Sequence, residues 1–518
     1  MKIRNSFLSA LFILASTFLN AQEPYELGPD SRVYEQIPKG TVTTHQWDSN
    51  IYPNTTRAYY LYVPAQYDST KPAALMVFQD GHTYIKEDGN FMAATVFDNL
   101  ISQEKMPVTI GLFINPGHDK SANPPESPWR VTNRSIEYDE MADTYGRFLL
   151  EEIIPEIKKN YTISDDPKMR AICGISSGGI CAFTVAWYFP EHFQKVLSLI
   201  GSFTNIRGGH NYPALIRKSE KKDIKIFLQD GSDDLDNEHG NWWLSNLQME
   251  AALKFKEYNY EFVGGSGGHS GHHGASIFPQ SLTWLWSDVV PTRLESKVYP
   301  LIDPLTDATL ISGESTHLSR VEFTVVTLES SDAPVKMLSG EKEQIIIVKE
   351  GSLKITIGNA VKTVGANSVA IVLPGEQGIV ECMSKDAAFY TMIYESRGYP
   401  DPTRGKKQEG PMIFDFEDID YRPHDRGGVR SFFNRSTTMC PYYEMHVTNL
   451  NPGIKSHEPH VHKAEEIILM ISGTTEMEIG NELYSAKAGD VYFTGANVPH
   501  AIKNTGNEQA MYFAFQWY

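Results

Sequence analysis

Apolar residues are distributed along this chain in two different textures. From Arg57 to about Trp286, short apolar runs alternate with longer stretches of helical period. The runs Tyr59 to Val63, Leu75 to Phe78, Ile110 to Ile114, Arg170 to Cys173, Val196 to Ile200, Ile224 to Leu228 and Tyr260 to Val263 read as strands, with helices between them, notably Glu140 to Lys158 and Trp242 to Tyr258. Apolar strands separated by helices predict a mainly parallel, doubly wound α/β sheet covered on both faces. From about Val321 the runs become short and β-type, divided by Gly, Asn and Pro turns, which predicts an all-β sandwich or barrel.

The β-rich half contains a repeat. Gln344 to Gly351 matches Glu466 to Gly473 in pattern, and each is followed by a strand-like run and a turn, Gly358-Asn359 and Gly480-Asn481. Two copies of one small β-fold follow, divided near the Pro/Gly-containing segment from Tyr399 to Pro411. At 518 residues the chain exceeds one core, and about three folding units are expected.

Charge narrows the partners. A formal net charge of −18 disfavours nucleic acid and anionic membrane surfaces, and a small substrate fits better. No apolar run after the first twenty or so residues is long enough to span a bilayer. At the start, Lys2 and Arg4 precede an apolar stretch from Phe7 to Leu19, followed by Asn20-Ala21 and polar residues, which predicts a secretory signal peptide over residues 1–21 and a secreted or periplasmic protein. No cysteine follows that stretch, so no lipid attachment site is expected. Four cysteines cannot form a disulfide framework in so long a chain, and Cys173 and Cys181 are expected to be buried free thiols.

Gly174-Ile175-Ser176-Ser177-Gly178 follows a strand-like run and opens a helical one, the context of a nucleophile elbow. A serine hydroxyl needs a base and an orienting carboxylate, expected here in the order Ser, Asp, His. Asp234 lies just past the strand ending in Asp230, with Asp233 and Asp236 as alternatives. The base is sought in Gly267-Gly268-His269-Ser270-Gly271-His272-His273, where three close histidines also raise a metal site. Oxyanion donors are expected from the Ser177 amide and from the loop carrying Gly81 and His82. Trp129, Arg130 and Arg134 are candidates to line the substrate cleft, with Arg134 alternatively an ion-pair partner of Glu137 or Glu140.

Arg57 to Trp286 resembles the esterase D or enterochelin-esterase-like family, which includes feruloyl and acetylxylan esterases of carbohydrate esterase family 1. The resemblance rests on Phe78 to Gly81, Arg134 with Glu137-Tyr138, Phe148 to Pro155, the elbow, Gly231 to Asp234, and Gly268-His269 ahead of Trp284. It implies an α/β-hydrolase fold, with the histidine after the paired glycines, His269, as base. Where some members follow that histidine with a Trp-Arg pair, this chain has Gly274 and Ala275, which puts the leaving-group side of the pocket in doubt.

In the β-rich half, His460-Val461-His462 is followed by Glu466 and later by Pro499-His500. Histidines at i and i+2 in a strand face one way, so His460, His462, Glu466 and His500 form a ligand set suited to a divalent transition metal. This pattern resembles the cupin signature, which implies two barrels in tandem from about Val321 to Tyr518. The first copy has Leu338, Gly340, Gln344 and about Gly378 at the ligand positions, so it is expected to be structural. His457 is expected to lie outside the ligand set.

The expected organisation is a signal peptide (1–21), an α/β-hydrolase (22–290), a degenerate cupin (291–400) and a metal-binding cupin (401–518), with dimerisation through cupin sheets as a plausible assembly. The principal expectation is a secreted serine ester hydrolase acting on acylated or feruloylated carbohydrate, with a siderophore ester as second choice. The rivals are a cupin-centred metalloenzyme acting on sugars or uronates, and a bicupin that serves as a binding module.

Overall fold

The structure is a computed structural model that describes residues 25–131, 133–302, 307–336, 342–398, 400–407 and 412–518. The expected signal peptide, and Leu338 and Gly340 of the first repeat, lie outside these residues.

The first half is built on eight principal strands: β1 (Thr41–Ser49), β2 (Thr55–Val63), β3 (Ala74–Gln79), β4 (Thr109–Ile114), β5 (Arg170–Ile175), β6 (Lys195–Leu199), β7 (Lys225–Gly231) and β8 (Asn259–Gly265). They lie in the order β1-β2-β4-β3-β5-β6-β7-β8. β1 and β2 are antiparallel to their neighbours, and every pairing from β4 to β8 is parallel. Strands β3 to β7 are buried along their whole length, as expected where helices cover both faces. Separate apolar cores fill the two sides, one around Phe148, Phe183 and Tyr212, the other around Phe78, Phe278 and Trp286.

Two helices depart from expectation. The stretch expected to be helical from Glu140 begins at Thr144 and passes through a π-helical turn at Leu149–Ile153 before resuming at Ile154–Lys158. Pro155 explains the turn, because its ring has no N–H to give to the carbonyl four residues back and crowds it. The helix from Trp242 ends at Phe255 rather than Tyr258, with Glu257 in the left-handed region at φ 55°.

The second half is a pair of β-barrels whose strands correspond one to one. Glu343–Glu350, Leu353–Ile357, Ala360–Val364, Val369–Val372, Gly378–Cys382 and Asp386–Ser396 recur as Glu465–Ser472, Thr474–Ile479, Glu482–Lys487, Val491–Thr494, His500–Asn504 and Ala510–Trp517. The turns repeat as well: Gly351 and Gly473 both have φ 79°, and Gly358 and Gly480 have φ 57° and 58°. The expected division at residue 400 is not respected by strand pairing. Lys297–Tyr299 pairs with Val491–Thr494 of the second barrel, and Ile413–Phe414 pairs with Val369–Val372 of the first. A reciprocal pair of buried glutamates reinforces this exchange. Glu465 accepts from the Thr316 amide at 2.8 Å, while Glu343 accepts from the Thr438 amide at 2.7 Å. One apolar core, including Phe323, Tyr390, Tyr443, Phe513 and Trp517, runs across both barrels.

A strap ahead of β1 ties the halves together. Asp30 accepts from Gln103 at 2.8 Å and from Asn481 at 3.3 Å, and Tyr34 and Ile37 pack on Val461. Within the first half, Arg57 and Glu137 form a two-point ion pair at 2.6 and 2.9 Å with both side chains fully buried. Removing one partner strands the other charge, so Arg57→Met should destabilise the protein by about 3–5 kcal/mol. Urea unfolding followed by tryptophan fluorescence checks this, and a shift below about 1 kcal/mol would contradict it.

Candidate functional site

Each candidate group of the first half stands at the carboxyl end of a parallel strand, where loops converge over the sheet. Ser176 follows β5, Asp234 follows β7, His269 follows β8, and Gly81 and His82 follow β3. Ser176 is held at φ 59°, ψ −122°, a backbone region that side chains other than glycine rarely occupy. Four backbone bonds hold it there: its N–H donates to Leu199 O at 2.9 Å, and its carbonyl accepts from Gly179 at 2.9 Å, Ser202 at 3.1 Å and Ile180 at 3.3 Å. The flanking glycines are needed for space, since a Cβ at Gly174 would lie 2.0 Å from Gly178 O and one at Gly178 would lie 3.1 Å from Gln79 Cβ.

This turn points the Ser176 hydroxyl at His269. Ser176 Oγ lies 2.8 Å from His269 Nε2, and His269 Nδ1 lies 2.6 Å from Asp234 Oδ1. A carboxylate on Nδ1 keeps the proton there and leaves Nε2 as the acceptor that faces the serine. The alternatives do not share this geometry. Asp233 and Asp236 are exposed. His273 is buried, stacked on Tyr25 with ring centroids 4.2 Å apart and 3.1 Å from Gln229 Nε2, a packing role.

Several groups around this chain were not evident from sequence. Ser202 Oγ lies 3.3 Å from Ser176 Oγ and accepts from Trp242 Nε1 at 3.1 Å, which leaves its own proton for Ser176. Trp242 also packs edge-on against His269, with ring centroids 5.7 Å apart. Beneath Asp234 lies Asp230, fully buried, accepting from the Gly231 amide at 2.8 Å and from Asn246 Nδ2 at 2.7 Å. Burial and the neighbouring Asp234 push its pKa up to about 9. Burial alone would raise Asp234 too, but its bonds to His269 and Asp230 outweigh burial and hold it below the ordinary carboxylate range. One sequence signal for this pair existed, the acid-rich run from Asp230 to Asp236.

The loop after β3 is tightly built. A Cβ at Gly81 would lie 2.3 Å from the Phe113 carbonyl carbon. The His82 amide donates to Asn115 Oδ1 at 3.0 Å, so an oxyanion would compete with Asn115 for that donor. Arg134 pairs with neither Glu137 nor Glu140: its Nε and Nη2 meet the Asp80 carboxylate at 2.9 and 2.7 Å, and Glu137 is taken by Arg57. Above Arg134 lies the half-exposed Trp129 ring, 5.0 Å from the guanidinium and edge-on to His82. Arg130 is exposed beside it.

In the second barrel, the ligand-capable nitrogens of His460, His462 and His500 lie within 4.8 Å of one another. His462 Nδ1 is 2.8 Å from Ala464 O and His500 Nδ1 is 2.8 Å from Val498 O, so each ring donates from Nδ1 and keeps a bare Nε2. Both Nε2 atoms are buried without a hydrogen-bond partner. Glu466 Oε2 lies 3.1 Å from His500 Nε2 and 3.9 Å from His462 Nε2, and its Oε1 accepts from Gln516 at 3.0 Å. Burial alone would raise the Glu466 pKa, but His500, His462 and Gln516 hold it at about 2, while burial and the adjacent imidazoles pull His460 down to about 3. A buried carboxylate and the bare Nε2 atoms of His462 and His500 are donors that suit a divalent transition metal, so the residues fit such an ion. His457 stands beside the set, its ring centroid 4.1 Å from that of His460. In the first barrel Gln344 donates to Thr391 at 2.8 Å, and among the described residues no second such cluster occurs.

Comparison with known proteins agrees with this division. Residues 50–284 match the family described as "Putative esterase", and residues 446–515 match the "Cupin domain" family. Among curated proteins, the chain is 22% identical over 166 residues to "Uncharacterized protein YbbA" of Bacillus subtilis (strain 168), covering 32% of this chain and 62% of that one. It is 23% identical over 183 residues to the iron(III) enterobactin esterase of Dickeya dadantii (strain 3937), covering 34% of this chain and 38% of that one. The chain thus spans under two thirds of either relative. Among solved structures, a ferulic acid esterase aligns at 18% identity with TM-score 0.40, over 48% of this chain and 99% of that one. The chain therefore carries an esterase-type α/β domain followed by a cupin-type β domain.

Asp230 generates a prediction with a definite sign. A carboxyl whose folded pKa is raised costs stability once the unfolded chain ionises, so the penalty grows from about pH 4 to about pH 9. Asp230→Asn, which cannot ionise, should gain melting temperature relative to the wild type as pH rises from 4 to 8. A difference that stays flat over that range would contradict a neutral Asp230.

Proposed function

We propose that the first half is a serine carboxylic ester hydrolase, a reading carried by the hydrogen-bonded line Ser176–His269–Asp234 at the strand ends. Ser176 Oγ attacks the ester carbonyl as its proton passes to His269 Nε2, and Asp234 steadies the resulting imidazolium. The Ser177 amide and the Gly81-His82 turn receive the oxyanion. The imidazolium then protonates the leaving alcohol. A water, deprotonated in turn by His269, releases the acid from the acyl-serine. The His269 side chain is 22% exposed, so that water has access.

The favoured substrate is an aryl or other acyl ester on carbohydrate, handled outside the cytoplasm. The exposed Trp129 face, backed by Arg134, supports an aromatic acyl group that stacks on it. A siderophore ester is the second substrate, and the Dickeya dadantii relative is the observation that favours it. In the second barrel, His460, His462, Glu466 and His500 would hold a divalent transition metal, which supplies a Lewis-acidic centre when bound. Esterase chemistry at Ser176 needs no such ion.

Hydrolysis of methyl ferulate, acetylated xylan and a simple aryl acetate tests this reading. The wild type should cleave at least one, and Ser176→Ala should lose at least about a thousand-fold in kcat/KM on it. A variant that keeps wild-type rates would remove Ser176 from the mechanism.

A further inference from the structure

Strand β6 ends in a strained turn that supplies none of the three groups in the line Ser176–His269–Asp234. Ile200 sits there at φ 40°, and among the described residues it is the only β-branched one in the left-handed region. A β-branched residue is an outlier in that region, at a cost of order 1–3 kcal/mol. Several bonds hold the turn in place. The Ile200 amide donates to Gln229 O at 2.6 Å, and Gly201 O accepts from the Phe203 amide at 2.8 Å and from Asn246 Nδ2 at 2.9 Å. Strain that the surrounding packing maintains points to a function for what the turn positions.

The residue it positions is Ser202, which is buried. Its amide donates to Ser176 O at 3.1 Å, and its Oγ stands 3.3 Å from Ser176 Oγ. The Ser176 proton goes to His269 Nε2, the nearer acceptor at 2.8 Å. From the other side Trp242 Nε1 donates to Ser202 Oγ at 3.1 Å. Ser202 therefore keeps its own proton to give, and Ser176 Oγ is the acceptor beside it. At 3.3 Å this bond is long for two hydroxyls, and it strengthens when the acceptor carries charge.

We propose that Ser202 is a further catalytic residue, whose hydroxyl donates to Ser176 Oγ as that oxygen departs from the acyl group. The inference rests on the ester-hydrolase reading above. In the acyl-serine, Oγ is an ester oxygen bonded to carbon and a weak acceptor. Water adds to the acyl carbon and gives its proton to His269 Nε2. The bond from Oγ to carbon then breaks with its electron pair on Oγ, and the imidazolium returns the proton there. Charge gathers on Oγ only as that bond breaks, so a donor already aimed at it stabilises the transition state more than the acyl-serine before it. Attack gains less from the same donor, because Ser202 already contacts the free Ser176 hydroxyl.

The test compares full-length wild type, Ser202→Ala and Ser176→Ala by rapid mixing, with whichever of methyl ferulate, acetylated xylan and the aryl acetate the wild type cleaves fastest. Release of the alcohol is followed, and the mass of the intact protein is read during turnover. Ser202→Ala should release its first equivalent within about three-fold of the wild-type rate, then turn over about 10- to 100-fold more slowly than wild type. During that slow phase it should carry one acyl group, while Ser176→Ala carries none. The first equivalent shows that the variant is folded and that its Ser176 is activated, so accumulated acyl-protein separates a donor to Oγ from a merely structural serine. Turnover at the wild-type rate, or loss of the first equivalent together with turnover, would overturn the inference while wild-type activity leaves the esterase reading standing. Wild type that cleaves none of the three esters would overturn both.

Discussion

The hydrogen bond between Ser176 Oγ and His269 Nε2 joins the ends of β5 and β8, three positions apart in the sheet, and much of the first half is arranged so that it can form. It requires a serine in a backbone region that costs of order 1–3 kcal/mol for a residue with a side chain. Bonds to Leu199, Gly179 and Ser202 stabilise that turn, and the small residues at Gly174 and Gly178 allow the helix after β5 to begin against the sheet. The strain is thus offset by the same packing that exposes the hydroxyl. On the other side of the bond, Asp234 keeps its charge because Asp230 beneath it does not.

The two halves of the chain are in direct contact. The strap before β1 touches both sites: Tyr25 OH accepts from the Ser266 amide at 3.0 Å, in the loop that carries His269, while Tyr34 and Ile37 pack on Val461, between two of the clustered histidines. Asn497 donates to Ser102 O at 3.0 Å, and its own amide donates to His462 O at 2.9 Å. Arg293 meets Glu104 at 3.2 Å. Apart from the apolar packing of Tyr34 and Ile37 on Val461 these contacts are polar, and each half holds its own core.

What could be read from the sequence follows from which interactions are local. The elbow was legible because strand, serine and helix are contiguous, and the histidine pair because i and i+2 in a strand share a face. The repeat was legible because matching strands end in glycines that must take positive φ. The strand that begins at Lys195 was read one residue late, because that lysine is buried against Asp288, a partner 93 residues away. Ser202, Trp242 and Asn246 were missed for the same reason, since their roles arise only when β6 and the helix after β7 meet behind Ser176. The strand exchange between barrels was invisible because Lys297–Tyr299 is too short to carry a pattern.

The central claim is that Ser176 is the nucleophile that His269 activates. The most direct measurement is peptide mass spectrometry after treating the protein with a fluorophosphonate, which phosphonylates an activated serine and loses fluoride. The account predicts a single adduct on the peptide containing Ser176, absent from His269→Ala at the same exposure. An unmodified Ser176 in protein that hydrolyses esters, or an adduct formed equally well without His269, would contradict it.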